Sequence, residues 1–453
     1  MLPVLTPREM RAVDEAAPEP TDVLIGRAAA AVARHAVDLM GGRYGRRVVV
    51  VAGKGNNGND GREAARRLVR EGVRVTVIAA TDAPERLPPS DLVIDAAYGT
   101  GFRGDYEPPE VGDVPVLAVD IPSGVDGLTG AVHGRALPAR RTVTFAALKP
   151  GLLFHPGRAL AGEVAREDIG LDVSGAGAWV VEAADVAGWL PPRPPDAHKW
   201  RAAVVIAAGS PGMTGAAHLA ARAAQRAGAG MVRVASPGIE YDPALPTEAV
   251  GVGVPAAGWD DAVAVQVERA GALVLGPGLG RSAPTVTAVH HLASGAPVPL
   301  VVDGDGLTAL GEQAAAVLAR RTAPVVLTPH DGEYARLTGH PPGTDRLAAA
   351  RDLATATGAI VLLKGPTTVI AEPGGRVRIS TAGDARLATA GTGDVLSGIV
   401  GALLAQGADA ADAAAAGAWL HGTAACEGPF RGMVASDVIA GLPPVLARLG
   451  EET

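Results

Sequence analysis

Short, almost wholly apolar runs recur along this chain, and nearly all end in glycine or a carboxylate just before a helix-compatible stretch begins. V-V-V-V-A (Val48 to Ala52) runs into G-K-G-N-N-G-N-D-G, A-L-V-L (Ala272 to Leu275) into G-P-G-L-G, and I-V-L-L (Ile360 to Leu363) into K-G-P-T-T. A strand that does not alternate apolar with polar residues is buried on both faces, which is the condition of a parallel sheet covered by helices on either side. The rhythm therefore predicts α/β architecture with doubly wound parallel sheets, and it excludes an antiparallel sandwich or an all-helical bundle. In such sheets ligands bind outside the carboxyl ends of the strands, so those ends are where function is to be sought.

The 453 residues exceed what one core ordinarily holds and imply two or three domains. Residues 188–199 read G-W-L-P-P-R-P-P-D-A-H-K, with four prolines in five residues, which continues neither a helix nor a central strand. We expect domains over residues 1–175 and 196–453, joined by a stiff Pro-rich connector over 176–195. The net charge of −8, from 40 basic and 48 acidic residues without long runs, argues against a nucleic-acid or membrane-surface partner. No apolar run approaches the roughly 20 residues that span a bilayer. Pro3, Pro7, Pro18 and Pro20 among scattered acids make residues 1–40 unlike a signal peptide. The single cysteine, Cys426, excludes an internal disulfide framework and suits a reducing cytoplasm. Richness in Ala, Gly and Arg is read as carrying little functional content.

In the first half, Thr21 to Met40 has helical apolar spacing, and strands are expected at 48–52, 75–79, 92–95, 116–120 and 142–145. Polar residues gather at three strand ends. One carries Asn56, Asn57, Asn59 and Asp60; another Asp95 and then Y-G-T-G-F-R-G-D through Asp105; a third Asp120 and then I-P-S-G. Asn57, Asp95 and Ser123 offer oxygen ligands suited to a hard cation, and the loops Gly53–Gly61 and Gly99–Gly104 suit a diphosphate-bearing ligand. The lesser alternative is that Asp95 and Asp120 merely cap the helices that follow. The first loop lacks the Gly-Lys-Ser/Thr ending of a Walker P-loop.

Gly53 to Gly61, D-A-A-Y-G-T-G (95–101), V-D-I-P-S-G (119–124) and L-K-P-G (148–151) together resemble the NAD(P)H-hydrate epimerase domain, over nearly all of residues 1–175. The resemblance implies a Rossmann-like fold, a bound potassium ion and epimerisation at C6 of hydrated NADH or NADPH. Carried onto this chain, Asn56, Asn57, Gly58, Asn59 and Asp60 line the hydrate site with Gly99, Thr100, Gly101, Phe102, Arg103, Gly104 and Asp105. Asp120 touches the reacting ring, Lys149 assists proton movement, and Asn57, Asp95 and Ser123 hold potassium. Two departures stand out. Asn59 replaces a glycine of the usual N-N-G-G-D-G, where asparagine tolerates positive φ better than most residues, and Gly26 replaces an acid of the usual L-M-E-x-A-G.

The second half culminates in L-A-T-A-G-T-G-D-V-L-S-G-I (387–399). Gly391-Thr392-Gly393 before a helix start is an anion cradle, and Asp394 at its lip is placed to take a proton from a hydroxyl beside a transferring phosphoryl group. A plain Gly-rich helix start is the alternative. Upstream strand ends present Asp303 and Asp305, His330 and Glu333, and Lys364. His330 reads equally as a surface histidine, His421 as packed core, Lys199 and Arg336 as solvated charges, and Asp303 as a helix cap.

G-S-P-G-M-T-G-A, G-P-G-L-G, T-P-H-D-G-E-Y-A-R-L, K-G-P-T-T and A-T-A-G-T-G-D, in that order over residues from about 196 to 450, resemble the ribokinase-like superfamily and within it the ADP-dependent NAD(P)H-hydrate dehydratases. A C-terminal ribokinase-like sheet beside the N-terminal Rossmann-like one points to the bifunctional nicotinamide nucleotide repair enzymes, an isomerase and a lyase in one chain. The resemblance implies NADH-hydrate and NADPH-hydrate as substrates, ADP or alternatively ATP as nucleotide, Mg2+ and K+ as ions, and a cytoplasmic homo-oligomer. It places Ala216, Gly278, His330 and Asp394 around the hydrate. Lys364, Gly365, Pro366, Thr367 and Thr368, with Gly391, Thr392 and Gly393, bind the nucleotide. Asp394 would deprotonate the hydrate hydroxyl for attack on the terminal phosphoryl, and loss of phosphate would restore the dihydropyridine. The usual N-x-T-G-N-P-G ahead of the cradle is largely replaced by Ser380, Ala382, Asp384, Ala385 and Arg386, and Arg386 is a candidate phosphate contact in its place. The competing readings are an ATP-dependent small-metabolite kinase with an accessory domain, and an active dehydratase with a non-catalytic N-terminal domain.

Overall fold

The structure, a computed structural model, describes residues 1–451. Two compact units separate, residues 2–178 and residues 179 onward with Met1.

In the first unit the strands Arg74–Ala79, Arg47–Ala52, Leu92–Ala96, Val116–Val119, Arg141–Phe145 and Glu163–Glu167 lie in that order across a six-stranded sheet. Every neighbouring pair is parallel. The first strand in sequence, Arg47–Ala52, is followed on one side by the second and on the other by the third. The winding therefore reverses between Arg47–Ala52 and Leu92–Ala96, and the loops leaving those two strands face one crevice. Helix Thr21–Met40 buries an alanine and valine stripe, Ala28 to Ala36, against the sheet and stops at Gly41 in the left-handed region.

Helix Asn56–Arg70 starts directly after the Gly53 turn. Its approach to the sheet is set by missing Cβ atoms: one on Gly58 would overlap the Gly53 carbonyl, and one on Gly61 would lie 2.5 Å from the Ala96 Cβ. Asn59 lies inside this helix, exposed, and is not among the non-glycine residues of positive φ. The expectation that its side chain must tolerate positive φ is thus replaced by a simpler fact: nothing at this helical position requires glycine.

In the second unit the strands Val377–Ser380, Thr368–Ala371, Ile360–Leu363, Val325–Leu327, Leu300–Val302, Ala272–Leu275, Ala203–Ala207, Met231–Ala235 and Ala249–Val252 follow one another across a second sheet. The pairs are parallel except where Ile360–Leu363, Thr368–Ala371 and Val377–Ser380 fold back as an antiparallel meander. The winding reverses between Ala203–Ala207 and Ala272–Leu275. Helix Thr392–Ala405 packs on helix Thr214–Arg226 so closely that a Cβ on Gly398 would overlap the Ala220 carbonyl oxygen. Helix Ala410–Glu427 buries Ala410, Ala411, Ala413, Ala414, Ala415 and Ala416. Alanine and glycine richness, read from sequence as uninformative, is here what permits close helix packing.

The connector is shorter than expected. Within residues 176–195, Ala178–Val180 is a strand and Ala183–Trp189 a helix, opened by a reciprocal Glu182/Asp185 capping box. Val186, fully buried, packs into the core of the second unit. The apolar positions Val181, Val186 and Leu190 overrode the turn-like composition, and the long stretch without regular structure is confined to residues 190–198. Among the described residues no helix is long and apolar enough to cross a membrane.

Two glycines of the first unit separate on this geometry. A Cβ on Gly26, inside helix Thr21–Met40, meets only an Arg67 guanidinium nitrogen at 3.7 Å. Gly26→Ala is expected to stabilise by about 0.5–1 kcal/mol through reduced chain entropy. Gly58→Ala should instead lower the denaturation midpoint of the first unit by more than that gain. Denaturant unfolding of the two full-length variants checks both signs.

Candidate active sites

At the crevice of the first unit, Asp95 closes the strand Leu92–Ala96 and is 1 % exposed. Its carboxylate accepts from the Ser123 hydroxyl at 2.6 Å, the Ser123 N–H at 2.9 Å and the Ala97 N–H at 3.3 Å. Burial raises its pKa, against those three hydrogen bonds. Neither Asp95 nor Asp120 caps a helix, so the capping alternative falls away. Asn57 has both side-chain polar atoms buried without a hydrogen-bond partner, and its Cβ lies 3.4 Å from where one on Gly99 would sit. An orphaned amide oxygen, a buried uncompensated carboxylate and a hydroxyl are a donor set that fits a hard monovalent cation.

Asp120 follows the strand Val116–Val119 at φ +67, inside a tight turn closed by the Ile121 N–H on the Val119 carbonyl at 2.8 Å. Ala146 repeats the arrangement after the neighbouring strand, at φ +61, with the Ala147 N–H on the Phe145 carbonyl at 2.7 Å. Such turns are rare and strained, and they cost of order 1–3 kcal/mol each where the residue is not glycine. Here they bring two side chains together. The Lys149 ammonium, 1 % exposed as a residue, sits 2.5 Å from Asp120 Oδ1 and donates to Thr144 Oγ1 at 2.9 Å and the Phe145 carbonyl at 3.0 Å. The backbone of Leu148 pairs with Pro3 and Leu5 at 2.9 Å each. That stitches the N-terminal segment beside Lys149 and carries in helix Pro7–Glu15 with Asp14. Of the loop 99–105, Gly99 meets Asn57, Thr100 approaches Gly127, and Phe102 stacks on Tyr98 at 4.2 Å between ring centres. Arg103 and Asp105 point outward and are exposed.

In the second unit Gly278, at φ +61, lies against Ala216: a Cβ there would sit 2.9 Å from the Ala216 Cβ. The two expected hydrate-site residues are thus neighbours across the reversal point. Gly391, at φ +89, turns the chain into helix Thr392–Ala405, and the Thr392 hydroxyl is spent on the Leu387 and Thr389 carbonyls at 2.9 Å, which fixes the cradle. The first-turn N–H groups of that helix have no intrahelical acceptor and supply the anion site.

Beneath the cradle lies a buried charge network. The Lys364 ammonium is 2.8 Å from Asp303 Oδ1 and 3.4 Å from Glu333 Oε2, and a Cβ on Gly393 would lie 3.5 Å from it. Asp303 Oδ2 accepts from the Ser397 hydroxyl at 2.7 Å. Burial works against the Asp303 charge, but Lys364 and the Ser397 and Thr328 hydroxyls outweigh it and hold the carboxyl below its usual pKa. Burial likewise opposes the Lys364 charge, and Asp303 and Glu333 outweigh it. Asp394 has no such partner. Burial first, then the charges of Asp303, Glu333 and Asp305, partly offset by Lys364, push it up to about 7. Asp303, Glu333 and Asp394 around one ammonium, with Asp305 paired to Arg281, leave a surplus of negative charge and oxygen donors, which fits a magnesium ion shared with nucleotide phosphates.

His330 is the N-cap of helix Asp331–Thr338, its Nδ1 accepting from the Gly332 and Glu333 N–H groups at 3.0 and 3.2 Å. That role fixes the tautomer and leaves Nε2 to carry the proton when the ring is neutral. Glu333 answers by accepting from the His330 N–H at 2.9 Å, so the cap and the Lys364 pair share one carboxylate. Lys364 to Thr368 form the turn between two antiparallel strands, held by Arg346 through the Lys364 carbonyl at 2.8 Å. His421 is buried with Nε2 unpartnered, and desolvation lowers its pKa to about 4.

Two expectations are corrected. Asp303 caps no helix, since Gly304 occupies that position. Arg386 is not free for phosphate: it donates to the Ala425, Cys426 and Gly428 carbonyls and to Asp384, closing the end of helix Ala410–Glu427. Ser397, Arg346 and Asp14 were missed. Ser397 lies one helical turn beyond Asp394 on the quoted stretch, and that spacing was the available signal. Arg346 and Asp14 reach their sites from distant segments, and nothing local marks them.

Family models match both halves: residues 21–86 and 79–151 fit "YjeF-related protein N-terminus", and residues 204–438 fit "NAD(P)H-hydrate dehydratase". The bifunctional NAD(P)H-hydrate repair enzyme Nnr of Mycobacterium leprae is 42% identical over 443 residues, 90% of this chain and 89% of that protein. The Escherichia coli protein of the same description is 34% identical over 450 residues, 88% and 84% of the two chains. Among solved structures, the ADP/ATP-dependent NAD(P)H-hydrate dehydratase of Bacillus subtilis, co-crystallised with ATP and Mg2+, is 30% identical with a TM-score of 0.51. It covers 59% of this chain and 97% of its own.

The uncompensated Asp394 carboxylate has a thermodynamic signature. A carboxyl whose folded pKa lies above its unfolded value favours the folded state below the unfolded value and loses that contribution as pH rises toward the folded one. Asp394→Asn removes the loss, so the variant should melt higher than wild type at pH 8 and equally at pH 4. A calorimetric comparison at the two pH values checks this, and equal melting at pH 8 would contradict the burial of an unpaired charge.

Proposed function

The chain belongs to the bifunctional NAD(P)H-hydrate repair enzyme family, and from that premise we propose which residues carry each of its two activities. The chain is an isomerase and a lyase. The first unit interconverts (R)- and (S)-NAD(P)H-hydrate, and the second dehydrates the S form to NAD(P)H at the expense of ADP, giving AMP and phosphate.

The observation that carries the assignment for the lyase is Asp394: a carboxylate at the first turn of the cradle helix, without a hydrogen bond and shifted toward neutral pH. It accepts the proton of the hydrate hydroxyl as that oxygen attacks the terminal phosphoryl group. The shift places its proton affinity near that of the medium, where a general base works best. Asp303, itself held by the Ser397 hydroxyl, and Glu333 hold the Lys364 ammonium beside Gly393, so a positive charge faces the phosphates without wandering. Gly391 to Gly393 and Lys364 to Thr368 hold the nucleotide, ADP with ATP as the alternative. Magnesium, when bound, neutralises charge on the phosphates. Ala216, Gly278 and the His330 ring form the hydrate side, small residues giving the reduced ring its room.

In the first unit Asn57, Asp95 and Ser123 hold potassium, which offsets the buried Asp95 charge. Asn56 to Asp60 and the Gly99 loop line the substrate site, with Asp120 and Lys149 at the reacting carbon.

The test uses a mixture of the two NADH-hydrate epimers with magnesium and potassium, following absorbance of the reduced nicotinamide with ADP, with ATP and without nucleotide. Complete nucleotide-dependent recovery is expected. A plateau near half would mean the first unit does not epimerise, and no recovery would favour the metabolite kinase. Asp394→Asn should lower dehydration by at least about 100-fold, the usual worth of a general base. Near-normal turnover by that variant would remove Asp394 from the role.

A further inference from the structure

The first unit holds a second carboxyl that none of the roles above uses for chemistry. Asp60 stands three residues past Asn57 on helix Asn56–Arg70, hence on the same face, and is 8 % exposed. The groups acting on it come from three other segments: Asp120 after the strand Val116–Val119, Lys149 after Arg141–Phe145, and Asp14 on helix Pro7–Glu15. The ammonium of Lys149 contacts Asp120, Thr144 and the Phe145 carbonyl, and it acts on the other two carboxyls only through its charge. Burial first, then Asp120 and Asp14, only partly offset by Lys149, push Asp60 up to about 8. Asp14 is raised as well, by burial and by Asp120 against the opposing charge of Lys149.

Inversion at the hydroxyl-bearing carbon requires a bond there to open and re-form on the other face. We infer that Asp60 is the catalytic acid of the epimerase and Asp120 the base, both acting at C6, with Asp14 a positioning residue beside Asp60. Asp60 gives its proton to the C6 hydroxyl as the C6–O bond breaks. That bond's electron pair leaves with water, and the N1 lone pair forms a C6–N1 iminium. Water then adds through oxygen to the opposite face, the electrons return to N1, and Asp120 takes the surplus proton. The product enzyme, with Asp60 ionised and Asp120 protonated, is the form that handles the other epimer, or it is reset by solvent. A buried carboxyl without an ammonium of its own, beside one paired with Lys149, is what such an exchange needs.

The inference rests on the epimerase reading, and the experiment separates their failures. Full-length enzyme with excess ADP and magnesium is given the R epimer alone, so NADH appears only after epimerisation, while the S epimer alone reads dehydration and folding. Wild type should convert R, with a rate falling above about pH 8 as Asp60 loses its proton. Asp60→Asn should lose at least about 100-fold on the R epimer with the S epimer unaffected, and Asp60→Glu should recover part of the loss. Asp14→Asn should move the alkaline limb to lower pH, which a purely structural role would not do. Epimerisation in H2 18O should place the label on C6 of the hydrate. Unlabelled product would mean that the C6–N1 bond opens instead, and an Asp60→Asn rate within about threefold of wild type would remove the acid; either overturns the inference. Wild type that recovers S and never R would overturn the epimerase reading beneath it.

Discussion

Each half of this molecule is arranged around one buried lysine that has already been spent. Lys364 is bound to Asp303 and Glu333, and Lys149 to Asp120. Breaking such a buried pair by removing one partner typically costs 3–5 kcal/mol, so the lysines are fixtures of the fold. The consequence lies with the carboxylates left over. Asp394 and Asp60 share these sites without an ammonium of their own, and both are displaced toward neutral pH. Pairing one acid with the ammonium and leaving its neighbour unpaired is how a static arrangement of aspartates and a lysine gives two carboxyls of one site different surroundings.

Both units deliver these residues by the same topological device. The chain enters mid-sheet, pairs the next strand on one side and a later strand on the other, and so leaves two loops facing each other. In the first unit those loops carry Asn57 and Gly99; in the second they carry Ala216 and Gly278. What differs is the covering. The first unit reaches its crevice with strained turns at Asp120 and Ala146, whereas the second lays a glycine-started helix across its strand ends.

The sequence was most legible where physical chemistry is local. Apolar runs marked the buried strands because parallel strands are covered on both faces. Glycine and aspartate marked their ends because turns and ligands need them. Asp394, Asp95 and Gly278 were visible for those reasons. The positive φ of Asp120 was not, since an aspartate after a strand reads as continuing it; hydrogen bonds to neighbouring strands decide that conformation. Arg386 was misjudged because its partners, three carbonyls at the end of another helix, lie about forty residues away. The helix Ala183–Trp189 was hidden by the prolines beyond it and is fixed by Val186 meeting a core that no local window contains.

The unneutralised charge around Asp394 reaches beyond catalysis. Empty of nucleotide, the cradle holds carboxylates in mutual repulsion, and an occupant carrying magnesium relieves it. A ligand that binds only the folded state at one hundred times its dissociation constant adds about 2.7 kcal/mol to that state's stability. Survival of the folded chain against proteolysis is therefore tied to the supply of adenine nucleotide, so that the pool from which the enzyme draws its phosphoryl donor also sets how long each copy of it lasts.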